Sequence, residues 1–272
     1  MNYLLAVLAG LLQGVTEFLP ISSSGHLIIF HDIFNFNLPD NLLFDVVLHL
    51  GTFLALLIFF FGYVEKIVRG LLSSLVNWNW QNNFNQRLAW LVTVGTIPGG
   101  LAGYFLENFI DTYLRSTLVV AIALITVAIM FWMAERGAAR YREMPAMTWV
   151  DAIIIGLSQI LALIPGVSRS GITIITGLAR KLKRVEAATF SFLLSLPIIG
   201  GAGIRKLSMV DDWSQADWLL LLVGLVASFV SGYLSVKYLL KYFSRYSLNI
   251  FAWYRLIIGC LILIWLILFR GL

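Results

Sequence analysis

The sequence predicts an all-α polytopic membrane protein, an inverted-topology repeat with six transmembrane helices plus two re-entrant helix hairpins. Of its 272 residues, 60% are hydrophobic and only 12% are charged, and the mean hydropathy is +0.89. A water-soluble domain could not bury so much apolar surface. Two polar insertions interrupt the apolar sequence, and the two halves of the chain align with each other. These three observations predict the fold class.

Six apolar runs are long enough to cross about 30 Å of hydrocarbon, which takes roughly 20 helical residues. They fall near 41–62, 88–106, 116–135, 187–205, 217–240 and 247–269. No basic region precedes the first apolar stretch and no small-residue cleavage site follows it, so we expect this stretch to be retained. Cys260 is the single cysteine, which excludes an intrachain disulfide and a cysteine-based metal site.

Two pairs of shorter apolar stretches are each joined by a polar insertion. The pairs are 3–19 with 25–34, and 150–164 with 171–180. Each pair is predicted to enter the membrane, break at mid-depth and return to the same side. Such irregular backbone is tolerated at membrane depth only where it is buried in protein or faces water.

A shift of 146 residues aligns the two halves without gaps. The matched pairs include Gln13 with Gln159, Ser22 with Ser168, Ser24 with Ser170, and Gly25 with Gly171. A single membrane domain, 1–272, then consists of a first repeat, 1–146, and a second repeat, 147–272. Each repeat holds one hairpin and three crossings, and because three is odd the second repeat starts from the opposite face. Such a repeat predicts that the two broken tips meet near the midplane.

The distribution of basic residues predicts the orientation. With the N-terminus outside, the inside segments hold Lys66, Arg69, Arg87, Arg136, Arg140, Arg142, Arg180, Lys181, Lys183, Arg184, Lys237, Lys241 and Arg245. The outside segments hold Arg115, Arg205, Lys206 and Arg270. An eight-crossing alternative separates the charges less well. We therefore expect both termini outside and the first hairpin opening to the outer face. This loop bias explains the net charge of +5 better than nucleic-acid binding does.

The first insertion, 17–26, packs a carboxylate, three hydroxyls and an imidazole between apolar stretches. Gln13 and Glu17 are four apart and share a helix face. Glu17 is either a functional group or a structural carboxylate bonded to a neighbouring helix. Ser22, Ser23 and Ser24 stand where the second half-helix begins, where they would cap it and form an anion site. His26 falls in its first turn, and Ser, His and Glu together allow nucleophilic or acid–base catalysis.

The second insertion places Arg169 between Ser168 and Ser170 at a helix start. A guanidinium at membrane depth requires an anionic partner, which is either Glu17 or a phosphate group. The two partners can alternate, with Glu17 paired when the site is empty and phosphate when it is filled. Thr173 lies one turn further and either adds a hydroxyl to the site or packs. Asp45, His49 and Arg255 are further polar residues within spans. Asp45 and His49 are left open between the same cavity and a structural role, and Arg255 between a counter-charge and a side chain that snorkels to the interface.

Two classes of function remain. A carboxylate, hydroxyls, an imidazole, an arginine and two helix N-termini at membrane depth suit an anionic headgroup, most plausibly phosphate. The protein is then either a phosphatase acting on a lipid phosphate, or a flippase or transporter that carries an anionic prenyl-phosphate lipid. Inverted repeats support alternating access, so transport and hydrolysis do not exclude each other.

The segment from Gln13 to His26, QGVTEFLPISSSGH, resembles the [E/Q]xxxE motif and following Ser-Ser-x-Gly-His of the undecaprenyl-diphosphatase family, also called bacitracin-resistance proteins. The segment 165–171, PGVSRSG, resembles that family's PGxSRSG signature. The resemblance covers the whole chain. It implies an enzyme of the bacterial inner membrane that removes the terminal phosphate of undecaprenyl diphosphate. This reaction recycles the lipid carrier for peptidoglycan synthesis and underlies bacitracin resistance.

The resemblance also implies roles for individual residues. Glu17 is expected to be essential, with Ser23 and His26 as candidate nucleophile and acid/base and Arg169 binding the diphosphate. Direct attack by His26 or by a water activated by Glu17 remains an alternative. The residues expected to bind substrate are Gln13, Ser22, Ser24, Ser168, Ser170 and Thr173. The family requires a divalent cation, so Mg²⁺ or Ca²⁺ is expected, held by Glu17, with Asp45 as a further candidate ligand, and by the substrate's phosphates.

The expected partners are undecaprenyl diphosphate and membrane lipid, without nucleic acid, and formation of a homodimer is left open. The expected location is the bacterial inner membrane, with both termini periplasmic and the site opening to the periplasmic side.

Overall fold

The structure, a computed structural model, describes residues 2–34, 41–137, 140–210 and 217–270. Within these ranges the chain is helical and has no β-strand. The helices are α1 Asn2–Phe18, α2 Ser23–Phe34, α3 Asn41–Phe59, α4 Phe61–Val76, α5 Phe84–Tyr113, α6 Thr117–Gly137, α7 Trp149–Leu161, α8 Arg169–Ala179, α9 Arg184–Leu207, α10 Trp218–Phe243 and α11 Asn249–Arg270. Part of the predicted outer loop, 211–216, lies outside the described residues.

Five helices are long and apolar enough to cross a membrane, namely α5, α6, α9, α10 and α11. The pair α3 and α4 makes a sixth candidate if the two are counted together, although they are bent by 80° at the break between them. Long apolar helices in this number confirm the polytopic fold class. The sequence did not predict α4 as a separate helix, because the first crossing was expected to end near 62. Glu65, Lys66 and Arg69 explain the bend, since these charges could not follow α3 through hydrocarbon.

The two polar insertions break the chain into two short helix pairs, α1 with α2 and α7 with α8. Both breaks have the same local geometry. Ser22 and Ser168, which the shift of 146 residues aligns, have φ of 77° and 72°. A serine seldom adopts this left-handed region, and such strain is concentrated at functional sites. Two equal irregularities at equivalent positions support the internal repeat, whose boundary and inverted orientation remain predictions.

Each hairpin packs on a helix of the other half. Helix α1 lies along α10, and α7 lies along α5. Glycines permit both contacts: a Cβ on Gly10 would lie 2.6 Å from the Gly224 carbonyl oxygen, and one on Gly156 would lie 2.5 Å from that of Gly95. Helices in membranes use small residues to approach this closely. The pairs α3 with α9 and α6 with α11 also join the halves, so the broken tips are enclosed by helices of both.

A buried ionic cluster holds the base of the second hairpin. Asp151, fully buried in the first turn of α7, is 2.7 Å from both Arg142 Nη2 and Arg180 Nε. Thr148 caps the same helix by accepting a hydrogen bond from the Asp151 amide. Because Arg180 ends α8, these contacts fix both helices of the hairpin together and so define where the tip between them lies.

Candidate active site

The two broken tips meet inside the protein, as the repeat predicted. The Arg169 guanidinium donates to Glu17 Oε1 across them. Ser23 and Arg169 are the first residues of α2 and α8, and the shift of 146 residues aligns them. The pairing therefore brings the start of each second half-helix to one carboxylate, which lies at the end of α1.

Glu17 is the centre of the polar cluster. Ser23 donates its hydroxyl to Glu17 Oε2 at 2.6 Å, and Gln13 Nε2 donates to the same oxygen at 3.0 Å. His49 Nδ1 lies 3.6 Å from this oxygen and 2.9 Å from Gln13 Nε2. Glu17 itself is 6% exposed. A carboxylate this deeply buried requires such donors and a nearby cation to remain charged.

Serine hydroxyls cap both second half-helices. Ser22 Oγ accepts from the amide of Gly25 at 3.3 Å, and Ser168 Oγ accepts from that of Gly171 at 3.1 Å. Ser22 Oγ also accepts from the Gly166 amide at 3.1 Å, which ties the two tips together. The predicted capping role is confirmed for Ser22, and Ser168 caps α8 in the same way although no such role was predicted for it. Two helix N-termini thus point toward the site, and each favours an anion.

A cavity of about 170 Å³ opens at this cluster. Its lining combines a carboxylate, a guanidinium and several hydroxyls from both tips. The polar residues are Glu17, Ser22, Ser23, Ser24, His49, Gln159, Ser168 and Arg169. Cationic, hydroxyl and helix N-terminal groups on one wall are the groups that bind phosphate oxygens.

His26 is not part of this cluster. Its Nδ1 lies 2.7 Å from the Ser22 carbonyl oxygen and its Nε2 lies 2.8 Å from the Tyr254 hydroxyl. The two rings stack with centroids 5.8 Å apart and line a separate apolar cavity. The structure therefore does not bring His26 to Glu17 or Ser23, contrary to the sequence-based expectation. The Ser22 carbonyl oxygen, which also accepts the His26 backbone amide at 3.2 Å, is the partner of the imidazole Nδ1, and this contact turns the ring away.

Three other predicted residues lie behind the cavity wall or elsewhere. Thr173 Oγ1 donates to the Arg169 carbonyl oxygen at 2.7 Å and pairs with Ser191, so it is occupied by helix packing. Ser170 Oγ lies 3.2 Å from Ser168 Oγ and supports the tip from behind. Asp45 lies 3.1 Å from His31 Nε2 and does not line the cavity.

Two polar residues of the cavity were not committed to the site from sequence. His49 was left open, and the structure places its ring beside Glu17 and Gln13. Gln159 was noted only as the partner of Gln13 in the repeat, but it lines the cavity and is 3% exposed. The repeat was the available signal, because the counterpart of a motif residue should lie equally close to the meeting tips.

Arg255, in the second turn of α11, joins the two tips. Its Nη1 donates to the Pro20 carbonyl oxygen at 3.0 Å, and its Nη2 donates to those of Gly166 at 2.6 Å and Val167 at 3.0 Å. The side chain is fully buried, and its guanidinium lies 5.4 Å from the Phe131 ring centroid. Carbonyls freed where a helix breaks need donors, and in this core they come from one guanidinium. Arg255 is therefore a positioning residue.

A family model described as "Bacitracin resistance protein BacA" matches residues 6–261. The chain belongs to this family. Members of the family with curated names are similar over nearly the full length. "Undecaprenyl-diphosphatase" of Desulforudis audaxviator is 40% identical over 100% of both chains. The protein of the same name from Rubrobacter xylanophilus is 42% identical over 96% of this chain and 97% of its own. These matches confirm the family resemblance found in the two motifs.

The oxygen atoms near Glu17 fit a divalent cation in part. Among the described residues there is no group of three or more His, Cys, Asp or Glu side chains that could hold a metal. However, Gln13 Oε1 is buried without a hydrogen-bond partner, and it belongs to the amide whose Nε2 donates to Glu17. Two oxygen donors are too few for Mg²⁺ or Ca²⁺ alone, but they fit a cation whose other ligands are phosphate oxygens and water.

Proposed function

We propose that this chain is a membrane phosphatase that hydrolyses undecaprenyl diphosphate to undecaprenyl phosphate and inorganic phosphate. Its relatives carry the name of that activity over the full chain length. The observation that carries the proposal is the 2.6 Å hydrogen bond from Ser23 to Glu17 at a helix N-terminus that Arg169 also faces. A nucleophile, a proton acceptor and a phosphate-binding guanidinium are thereby assembled in one cavity. The names of the relatives give no support to the flippase alternative.

Substrate binding begins with an exchange of partners at Arg169. The terminal phosphate takes the guanidinium from Glu17, and the amides at the starts of α2 and α8 donate to its oxygens. This exchange leaves Glu17 bonded to Ser23 and Gln13 but without its arginine. The carboxylate is then free to accept the Ser23 proton, so binding and activation are coupled.

The chemistry takes two steps. Ser23 Oγ attacks the terminal phosphorus while its proton passes to Glu17, and the bond from phosphorus to the bridging oxygen breaks. Glu17 passes this proton to the leaving oxygen, so undecaprenyl phosphate departs protonated, Glu17 is a carboxylate again, and a phosphoserine remains. A water molecule then attacks that phosphorus, Glu17 takes its proton, and the bond to Ser23 Oγ breaks to release phosphate. The Ser23 oxygen recovers a proton from Glu17, so the enzyme returns to its starting state.

A divalent cation bound with the substrate would be held by Glu17 and Gln13 Oε1 together with phosphate oxygens. It would neutralise charge on the diphosphate. In the orientation that the basic residues favour, the cavity serves the periplasmic side of the inner membrane.

Replacing Ser23 by alanine tests the nucleophile. We expect Ser23→Ala to lower phosphate release from the lipid diphosphate by about 10³-fold, because the hydroxyl bonded to Glu17 is lost. Ser158→Ala is a matched control, since the Ser158 hydroxyl donates only to its own helix, at the Ile155 carbonyl oxygen. The measurement is inorganic phosphate released by purified protein. Near-normal turnover in Ser23→Ala would remove the nucleophile assignment.

Adding a carboxylate next to Glu17 tests the cation. We expect chelation of divalent ions to stop turnover, and Gln13→Glu to lower the Mg²⁺ concentration for half-maximal activity by about tenfold. The reason is that affinity of oxygen sites for hard cations increases with ligand charge. The effect is measured by following phosphate release as the Mg²⁺ concentration is raised, and by titrating the protein with Mn²⁺ to measure its binding. Full turnover in chelator would contradict the cation proposal, and an unchanged Mg²⁺ requirement in Gln13→Glu would contradict the assignment of Gln13.

A further inference from the structure

A second cavity, of about 440 Å³, lies beside the active-site cavity between α5 and α9. We call it the glycine groove. Gly99, Leu163 and Ile198 line both cavities, so the two adjoin at these residues. The apolar cavity beside His26 shares no lining residue with the active site. The glycine groove is also within the size range of cavities that hold small ligands, about 300–1,000 Å³.

Packing accounts for only one of the four glycines that line the groove. Gly99 is needed for helix contact, because a Cβ there would lie 2.9 Å from Gln159 Cβ. A Cβ on Gly100 or Gly103 would meet its nearest neighbour at 3.9 or 3.8 Å, and one on Gly201 would have no atom within 4 Å. Glycine destabilises a helix relative to alanine. Three glycines with room for a side chain therefore indicate that the space itself is used.

The two ends of the groove differ in chemistry. One end reaches the polar tips through Leu163, and the other is bounded by Arg205 and Lys206. The Arg205 guanidinium lies 4.4 Å from the Tyr104 ring centroid. An apolar ligand would lie along the middle of the groove. It would not extend past Arg205 and Lys206, because covering these charged side chains would remove their hydration. It would leave sideways between α5 and α9 into the lipid.

We infer that the glycine groove binds the isoprene units nearest the diphosphate of the lipid substrate. This inference rests on the proposed function. When the terminal phosphate lies at Arg169, the prenyl chain must leave the active-site cavity on one side, and the groove adjoins that cavity at Gly99, Leu163 and Ile198. Its open walls at Gly100, Gly103 and Gly201 give an apolar chain room that a Leu or Val side chain would remove. The groove thus makes the enzyme selective for diphosphates that carry a prenyl chain.

Filling the groove tests this. We expect Gly201→Leu and Gly103→Leu to raise KM for geranylgeranyl diphosphate by about tenfold or more, as a change of a few methylenes in an apolar pocket does. Gly201→Ala should have a smaller effect in the same direction. All three variants should retain the wild-type kcat/KM for isopentenyl diphosphate, whose single isoprene unit does not reach Gly201. Phosphate release by purified protein in detergent gives both constants.

Gly62→Leu is the matched control, because a Cβ on Gly62 of α4 also has no atom within 4 Å and lies outside the groove. It should match wild type on both substrates. Equal KM values for geranylgeranyl diphosphate in wild type and Gly201→Leu would overturn the groove inference, as would equal losses on both substrates. If wild type releases no phosphate from any prenyl diphosphate, the proposed function itself fails.

A second copy of the chain is the competing occupant, because Gly99 and Gly103 have the four-residue spacing by which membrane helices associate. In that case Gly103→Leu would convert a dimer to a monomer, as measured by light scattering, and leave both KM values unchanged. That result would also overturn the inference. A raised KM for geranylgeranyl diphosphate alone, in a Gly103→Leu protein of unchanged mass, supports it.

Discussion

Glu17→Gln is expected to reduce phosphate release from the lipid diphosphate by about 10³-fold. The substitution keeps the shape of the side chain but removes the charge that pairs with Arg169 and accepts the Ser23 proton. The neutral amide cannot take a proton from serine or from water, so both steps of the proposed reaction slow. A burst of phosphoenzyme, measured by rapid quench, should disappear together with steady-state turnover.

Asp45→Asn is the matched control for this loss of charge. Asp45 is another carboxylate of the helical core, and its partner is His31, away from the cavity. Its substitution should leave turnover within about twofold of wild type, as expected for a residue that contacts no reacting group. Near-normal turnover in Glu17→Gln, with Asp45→Asn unchanged, would show that the reaction needs no carboxylate at position 17.

Arg255→Met is expected to destabilise the protein and abolish turnover together. The substitution leaves three backbone carbonyls at the broken tips without their donor. Hydrogen bonds to charged groups contribute about 1.5–3 kcal/mol each. We therefore expect a loss of about 3 kcal/mol or more, which for a chain of this size lowers Tm by on the order of 5–10 °C. Thermal unfolding in detergent measures the loss.

Arg255→Lys separates positioning from simple packing. A lysine carries the charge but cannot reach both tips in the planar geometry of a guanidinium. We expect it to recover part of the stability while kcat stays at least about tenfold below wild type, with KM less affected. Wild-type Tm and turnover in Arg255→Met would contradict the positioning role, and full kcat in Arg255→Lys would show that the geometry of the tips does not depend on the guanidinium.

Hydropathy and helix length sufficed to predict most of the spans. The runs near 88–106, 116–135, 187–205, 217–240 and 247–269 correspond to α5, α6, α9, α10 and α11. Because the bilayer requires about 20 apolar residues per crossing, a local count along the chain is enough. The separate helix α4 was missed, because the charges after residue 62 mark the end of an apolar run but do not show that the chain continues as a helix bent by 80°.

The repeat also allowed the sequence to predict a long-range contact. Arg169 and Glu17 are 152 residues apart, and a buried cation at one tip requires an anion at the other. The prediction worked because both residues belong to motifs at equivalent places in the two halves. His26 was different, because its motif placed it near Ser23 in sequence but not in the same cavity. Its ring instead bonds to the Ser22 carbonyl and to Tyr254, a residue far along the chain.

The amino-acid sequence alone was sufficient to predict a helical membrane protein with two polar tips and the Glu17–Arg169 pair, because hydrophobicity, helix breaks and charge pairing are local or follow from symmetry. Tertiary packing decided that His49 and Gln159 line the cavity, that Arg255 holds both tips, and that α5 and α9 leave an open groove. These features depend on which side of each helix faces the cavity and on how closely neighbouring helices approach. Successive residues are about 100° apart around a helix, so a small rotation of the helix changes which side chain faces inward. Hydropathy gives neither the rotation of a helix nor its distance from its neighbours, so these features are seen only once the helices are packed.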